Sequence, residues 1–238
     1  NVNTEKELCM CGIATSKTVS ANSYVFLYFT EIQSNREKNS EDKESKPLAN
    51  RLYRYELIEG NLQKPKLLLD LPKTAGPHHS GGAVMVGPDG NIYLPVGDFD
   101  NIRNKQYIET KAQNIKNAKD PDGRGGILRV TQVGYAVGDG LLGDSDPLDK
   151  YYAYGIRNSY GIDFDPVTGY LWDTENGPAY GDEINLVRPG FNSGWTKIQG
   201  IWEPMGANAS ENMLELKQNE ILSPSGGDTF INFDAKGT

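Results

Sequence analysis

Sulfur and imidazole are scarce in this chain, which has two cysteines and two histidines among 238 residues. Cys9 and Cys11 stand two apart, and on a strand such a pair points to one face. Two small buried apolar residues is the favoured reading, because unpaired cysteine is commonly buried; a strained disulfide or half of a metal site stands against it. Excess positive charge is missing as well. Lys and Arg total 24 against 32 Asp and Glu, a formal charge of −8. Affinity for a nucleic-acid backbone is largely counterion release driven by Lys and Arg, so this balance argues against such a partner and suits solubility and divalent cations. The longest apolar run, Tyr24 to Phe29, falls far short of the roughly 18 residues a membrane-crossing helix needs. Asn1 begins neither with an initiator Met nor with a basic-then-apolar leader, so any export signal is expected to have been removed or to lie outside this chain. Sustained helical periodicity is also lacking: residues 211–222 could form only a short helix or an extended insertion.

Turn and strand chemistry is abundant. The chain holds 27 Gly, 13 Pro and 10% aromatic residues, a loading that suits many strands joined by tight turns. Three stretches, beginning at Gly12, Gly82 and Gly161, share one pattern. Each is a short apolar strand, a turn, and an aromatic-rich strand, with turns at residues 16–23, Pro88 to Asn91 and Asp165 to Gly169 that let a hairpin reverse. The starts are too far apart for a tightly repeated propeller but suit blades carrying inserted loops. Residues 51–57 and 65–71 read as the remaining strands of the first sheet. The expectation is an all-β chain of radially repeated antiparallel meanders forming a single domain over residues 1–238.

Two inserts stand out. Residues 34–48 are mostly charged or small and read as a solvated loop. Residues 101–125 leave the strand ending at Asp98, on the side where His79 is expected, and read either as a substrate-side loop or as a plain surface excursion. The last ten residues read as one strand and a turn without a following partner, although a propeller closes its ring to hide its edges. The chain is therefore expected to be incomplete at its C-terminus, and at its N-terminus too.

The motifs come in a fixed order. They are His79-Ser80-Gly81-Gly82, Gly87-Pro88-Asp89-Gly90, Gly97-Asp98, Gly155-Ile156-Arg157-Asn158, Asp165 to Gly169, Glu175-Asn176-Gly177-Pro178, Gly181-Asp182-Glu183, and Gly190 to Trp195. In order and spacing this set resembles the glucose/sorbosone dehydrogenase family over roughly residues 8 to 200. These are soluble quinoproteins that use pyrroloquinoline quinone (PQQ). The resemblance implies a six-bladed β-propeller, of which this chain would hold about four blades of antiparallel four-stranded sheets.

The same resemblance implies roles. His79 would be the general base, since an unperturbed imidazole titrates near pH ~6.5 and can take the proton of a sugar hydroxyl; backbone-satisfied turn residues is the structural alternative for His78 and His79. Arg157 and Asn158 would grip the quinone oxygens, with Arg157 stabilising charge that develops there. The carbonyls of Gly177 and Pro178 would hold calcium, a hard cation that accepts backbone oxygens, and the ion would polarise the quinone. Asp182 and Glu183 would hold a second, structural calcium or hydrogen-bond their turn to the next blade. Asp98 and Gln113 would line the sugar pocket. The acidic residues Asp139, Asp144, Asp146 and Asp149 lack the alternation of a calcium loop and read as a solvated loop.

The chain departs from the family pattern where Cys9-Met10-Cys11 replaces apolar residues, and where later-blade cationic and aromatic residues have no counterpart before Thr238. The implied function is calcium- and PQQ-dependent oxidation of the anomeric carbon of an aldose to a lactone. Electrons would pass to an external acceptor, and the implied location is periplasmic or extracellular. The alternative is a non-catalytic, calcium-stabilised propeller that binds carbohydrate or protein. Calcium-dependent lactone hydrolysis is a weaker third reading, since the matching ligands here are backbone carbonyls.

Overall fold

Each of the three repeated stretches folds as the opening hairpin of an antiparallel sheet. The computed structural model describes residues 10–16, 23–32, 48–73, 78–99, 110–178 and 181–197. The first sheet is a meander of β1 (Met10–Thr15), β2 (Ser23–Ile32), β3 (Leu48–Ile58) and β4 (Asn61–Lys73), paired in that order. The second runs through β5 (Met85–Val86), β6 (Ile92–Val96), β7 (Gly126–Val130) and β8 (Tyr151–Tyr154). The third contains β9 (Ser159–Phe164), β10 (Leu171–Glu175) and β11 (Glu183–Val187). A two-residue strand, β12 (Phe191–Asn192), returns to the second sheet and pairs with β8 in parallel. Residues 51–57 and 65–71 lie in β3 and β4 as the sequence predicts.

About four blades were expected from sequence; among the described residues there are three sheets, and residues 198–238 lie outside them. The expected strand near the C-terminus, the 211–222 segment and most of the 34–48 insert share that position. Among the described residues no helix is long and apolar enough to cross a membrane.

Period-2 alternation builds the core. Along β2, Phe26 and Tyr28 face Leu52, Leu69, Leu94 and Leu128 in the main cluster, while Val25, Leu27 and Phe29 point to the opposite face beside Tyr53 and Tyr55. A second cluster joins Tyr93, Ile127 and Ala153 of the second sheet to Ile162, Leu171 and Val187 of the third. The first and second sheets approach closely at the repeat glycines Gly12 and Gly82. A Cβ on Gly12 would stand 1.8 Å from the carbonyl oxygen of Gly82, so neither sheet could pack this tightly with a side chain there. Cys11 is partly buried against the main cluster, and Cys9 is outside the described residues.

The acidic stretch before β8 is tied by a lysine. Buried Lys150 donates to Asp146 and, at 3.4 Å, to Asp149. Among the described residues no group of three or more His, Cys, Asp or Glu side chains is arranged to hold a metal ion.

Candidate active site

Two loops converge at Gly97, just past the end of β6. A Cβ there would meet the carbonyl oxygen of His79 at 2.4 Å, the Cβ of His79 at 2.9 Å and the carbonyl oxygen of Arg157 at 3.0 Å. The absent side chain is what lets the His79 loop and the Arg157 loop touch one strand end. Next door, the Asp98 N–H donates to the Arg157 carbonyl at 2.9 Å. His79 and Arg157, 78 residues apart in sequence, thus flank one backbone point.

His79 is buried and sits at φ +56°, a left-handed conformation that a non-glycine residue adopts at a cost of order 1–3 kcal/mol. Phe99, at φ +57°, shares that strain on the other side of Asp98. The His79 Nδ1 lies 2.6 Å from Asp98 Oδ1. An ionised carboxylate can only accept, and this contact then assigns the hydrogen to Nδ1 and the lone pair to Nε2. The other Asp98 oxygen, Oδ2, accepts from the Trp195 indole at 2.8 Å. With 1% exposure and both oxygens engaged by protein donors, Asp98 is held against the imidazole.

Arg157 lies in the loop between β8 and β9, and Glu175 at the end of β10 fixes its backbone. Glu175 Oε1 accepts the Arg157 N–H at 2.6 Å, while Oε2 pairs with Ser193 Oγ at 2.5 Å. Burial pushes Glu175 well above the ordinary carboxylate range, and the nearby charges of Asp173 and Glu183 push in the same direction. The Arg157 guanidinium reaches over the next turn. Its Nη1 donates to the Asn176 carbonyl at 2.9 Å, the Gly177 carbonyl at 3.1 Å and Asn176 Oδ1 at 3.2 Å. Asn158 Nδ2 donates to the same Asn176 Oδ1 at 3.1 Å. The Arg157 Nε is buried and, among the described residues, has no hydrogen-bond partner. A buried unpaired donor costs about 1–3 kcal/mol, more when charged, and is the sort of atom that an incoming acceptor completes.

The remaining predicted residues have protein partners. Gln113 is fully buried at the end of a single 3₁₀ turn (Lys111–Gln113), where its Oε1 accepts from the Thr110 N–H at 2.8 Å. Its side chain therefore braces the loop from within. Asp182 Oδ1 accepts the Gly177 N–H at 2.9 Å, and Glu183 Oε2 accepts from Asn185 at 3.1 Å and from Ser193 at 3.2 Å. These bonds tie the turn to itself and to the loop at Ser193. Pro178 is exposed beside Gly177. A groove of about 510 Å³ opens next to Asn176, lined by Tyr160, Thr174, Asp182, Glu183 and Ile184.

Sequence reasoning assigned no role to Asn176 or Trp195, though both stood inside quoted motifs. The 101–125 insert carries more structure than its composition suggests. Its described part, residues 110–125, is a bracket: Asn114 and Asn192 exchange amide hydrogen bonds at 3.0 and 2.9 Å, and Gly125 N–H donates to the Gly97 carbonyl at 3.1 Å.

The sequence profile of the Glucose / Sorbosone dehydrogenase family matches residues 1–223. The chain belongs to that family. Among curated relatives it is 29% identical to quinoprotein glucose dehydrogenase B of Acinetobacter calcoaceticus, over 91% of this chain and 47% of that protein. A solved Thermus thermophilus structure, described as an oxidoreductase (glucose dehydrogenase), superposes with a TM-score of 0.65 at 29% identity, over 84% of this chain and 54% of that one. The PQQ-bound aldose sugar dehydrogenase of Streptomyces coelicolor gives 0.59 at 27% identity, over 84% and 51%. The chain spans about half the length of these relatives, and its fold is the corresponding part of their β-propeller.

Proposed function

We propose that this family member is a quinoprotein sugar dehydrogenase that oxidises the anomeric carbon of an aldose to a lactone and passes the electrons to an external acceptor. One observation carries the reading: the loops of His79 and Arg157 meet at Gly97, the His79 imidazole is held by Asp98, and among the described residues the buried Arg157 Nε finds no acceptor. In this reading His79 Nε2 takes the proton of the anomeric hydroxyl, and Asp98 stabilises the imidazolium that forms. The Arg157 guanidinium and the Asn158 amide provide donors for the carbonyl and carboxylate oxygens of a planar quinone, and the orphaned Nε makes PQQ a fitting occupant. When bound, PQQ supplies the electrophilic carbon that receives a hydride from the sugar. Burial of both groups keeps water from competing for these contacts.

Calcium does not fit the present arrangement. The Gly177 carbonyl already accepts from the Arg157 guanidinium and from Asn176 Nδ2, and a second cation at that oxygen would face the first. No step is assigned to the ion. The likeness to soluble quinoproteins extends the proposal to a periplasmic or extracellular location.

Reconstitution is the test. The full chain is titrated with PQQ, then assayed for aldose-dependent dye reduction alongside His79→Ala and His79→Asn. Asparagine tolerates the left-handed backbone, so it separates chemistry from folding. Loss of a general base costs about 10²- to 10⁴-fold in rate, and both variants are expected to fall in that range while still binding PQQ. Absence of PQQ binding in the parent protein would favour the carbohydrate- or protein-binding alternative.

A further inference from the structure

Trp195 occupies a place that the proton-accepting dyad and the cofactor clamp both depend on, and this inference rests on the dehydrogenase reading of that site. Its indole edge and its indole face do different things. The Nε1–H donates to Asp98 Oδ2 at 2.8 Å. The ring lies under the Arg157 guanidinium, 5.4 Å from ring centroid to guanidinium carbon. Asp98 in turn holds His79. One side chain therefore touches the partner of the base and the body of the cation.

The backbone carrying that indole is fixed independently of these contacts. Trp195 N–H donates to the Gly155 carbonyl at 2.9 Å, and the Trp195 carbonyl accepts from Asn114 Nδ2 at 2.8 Å. On either side, Gly194 N–H donates to Asn192 Oδ1 at 3.0 Å and Thr196 N–H to the Gln113 carbonyl at 2.9 Å. The ring is thus a wedge set by the frame of the second sheet, rather than a side chain that follows Asp98 or Arg157.

Residue chemistry explains why this position holds tryptophan. An indole N–H is a donor only, so it requires an acceptor oxygen on Asp98 and keeps that carboxylate aimed at His79. The indole face is also the strongest aromatic partner for a cation. We infer that Trp195 is the positioning residue that sets the separation and orientation of base and clamp, acting through Asp98 on His79 and directly on Arg157.

Two substitutions separate the two contacts. Trp195→Phe keeps a face under Arg157 and removes the donor. The expected result is a kcat about 10- to 100-fold lower, the usual loss when an orienting partner is removed, with the KM for sugar and the Kd for PQQ both within about threefold of the parent. Trp195→Leu removes both contacts and is expected to weaken PQQ binding about tenfold as well, in line with the loss of a desolvated cation–π contact.

A readout free of catalysis uses the full chain carrying nitrogen-15 in its tryptophan indoles. Its three tryptophans give three indole signals, and Trp195→Phe assigns one of them by deletion. Asp98→Asn is expected to shift that signal and leave the other two in place. If the Trp195 signal is indifferent to Asp98→Asn, or if Trp195→Phe retains parental kcat, the inference is overturned. A protein that oxidises no sugar but shows the Asp98-dependent shift would sink the dehydrogenase reading and leave the Trp195–Asp98 contact standing.

Discussion

Glycine 97 shows how much one missing side chain decides. The carbonyl of His79 and that of Arg157 both lie within 3.0 Å of where its Cβ would be, so alanine must push one loop away. Gly97→Ala is expected to destabilise the fold by about 1–3 kcal/mol, the usual cost of overpacking, and to weaken PQQ binding. Thermal unfolding combined with PQQ titration checks both, and a variant matching the parent in both would show that the loops do not meet there. His79, Arg157 and Gly97 were all visible in sequence as motif members. The protein partners of Asp98 and Gln113 were not, because a carboxylate or amide reads the same in sequence whichever donor it faces. Burial and partner geometry decide that, and neither is written locally in the chain.

Within single elements, β10 carries an unusual load. Its inward positions Leu171, Asp173 and Glu175 are buried, whereas Trp172 and Thr174 between them are exposed, the alternation of a half-covered strand. Two of those inward residues are acids. Asp173 is pushed up to about 7, chiefly by burial, with a hydrogen bond from Ser159 acting against the shift and the charge of Glu183 acting with it. The native state therefore holds a proton on Asp173 that the unfolded chain releases near the ordinary carboxylate value. Stability is greatest below that value and falls as pH rises through about 7. Asp173→Asn keeps an acceptor for Ser159 and removes the titration. Its urea midpoint is expected to change less than the parent's between roughly pH 5 and roughly pH 8, and equal changes in the two proteins would contradict the shift. The strands and turns around it were legible from period-2 patterning and from turns such as Asp165 to Gly169, where Asp165 accepts from both Val167 and Thr168. The two-residue β12 was not legible, since such a short run has no periodicity to read.

Across the whole molecule, the sheets are coupled through the site. Tyr28 in β2 reaches 52 residues along the sequence to donate to the Ser80 carbonyl at 2.9 Å, linking the first sheet to the loop that carries His79. Tyr28→Phe removes that hydrogen bond, a loss of about 1 kcal/mol, equivalent to a melting temperature lower by about 2–4 °C for a chain of this size. Amide exchange at Gly81 and Gly82 should quicken in step. A melting temperature and exchange rates equal to the parent's would show the sheet and the loop to be uncoupled. Three sheets built from one repeated hairpin also explain why the repeat was readable although its copies differ in length: inserts enter between strands, where loop length changes little in free energy.

Composition, turn residues and alternation determined by themselves that this chain is all-β and built of repeated meanders, and the motif order determined its family. These are local properties, since turn residues and side-chain periodicity act over a few residues at a time. Tertiary structure alone decided which atoms meet. Asp98 and Trp195 are 97 residues apart in the chain, yet their side chains share a hydrogen bond, and Arg157 spends its donors on a turn nineteen and twenty residues later. Such pairings depend on how sheets pack around one another, and only the folded arrangement of all the sheets at once fixes that.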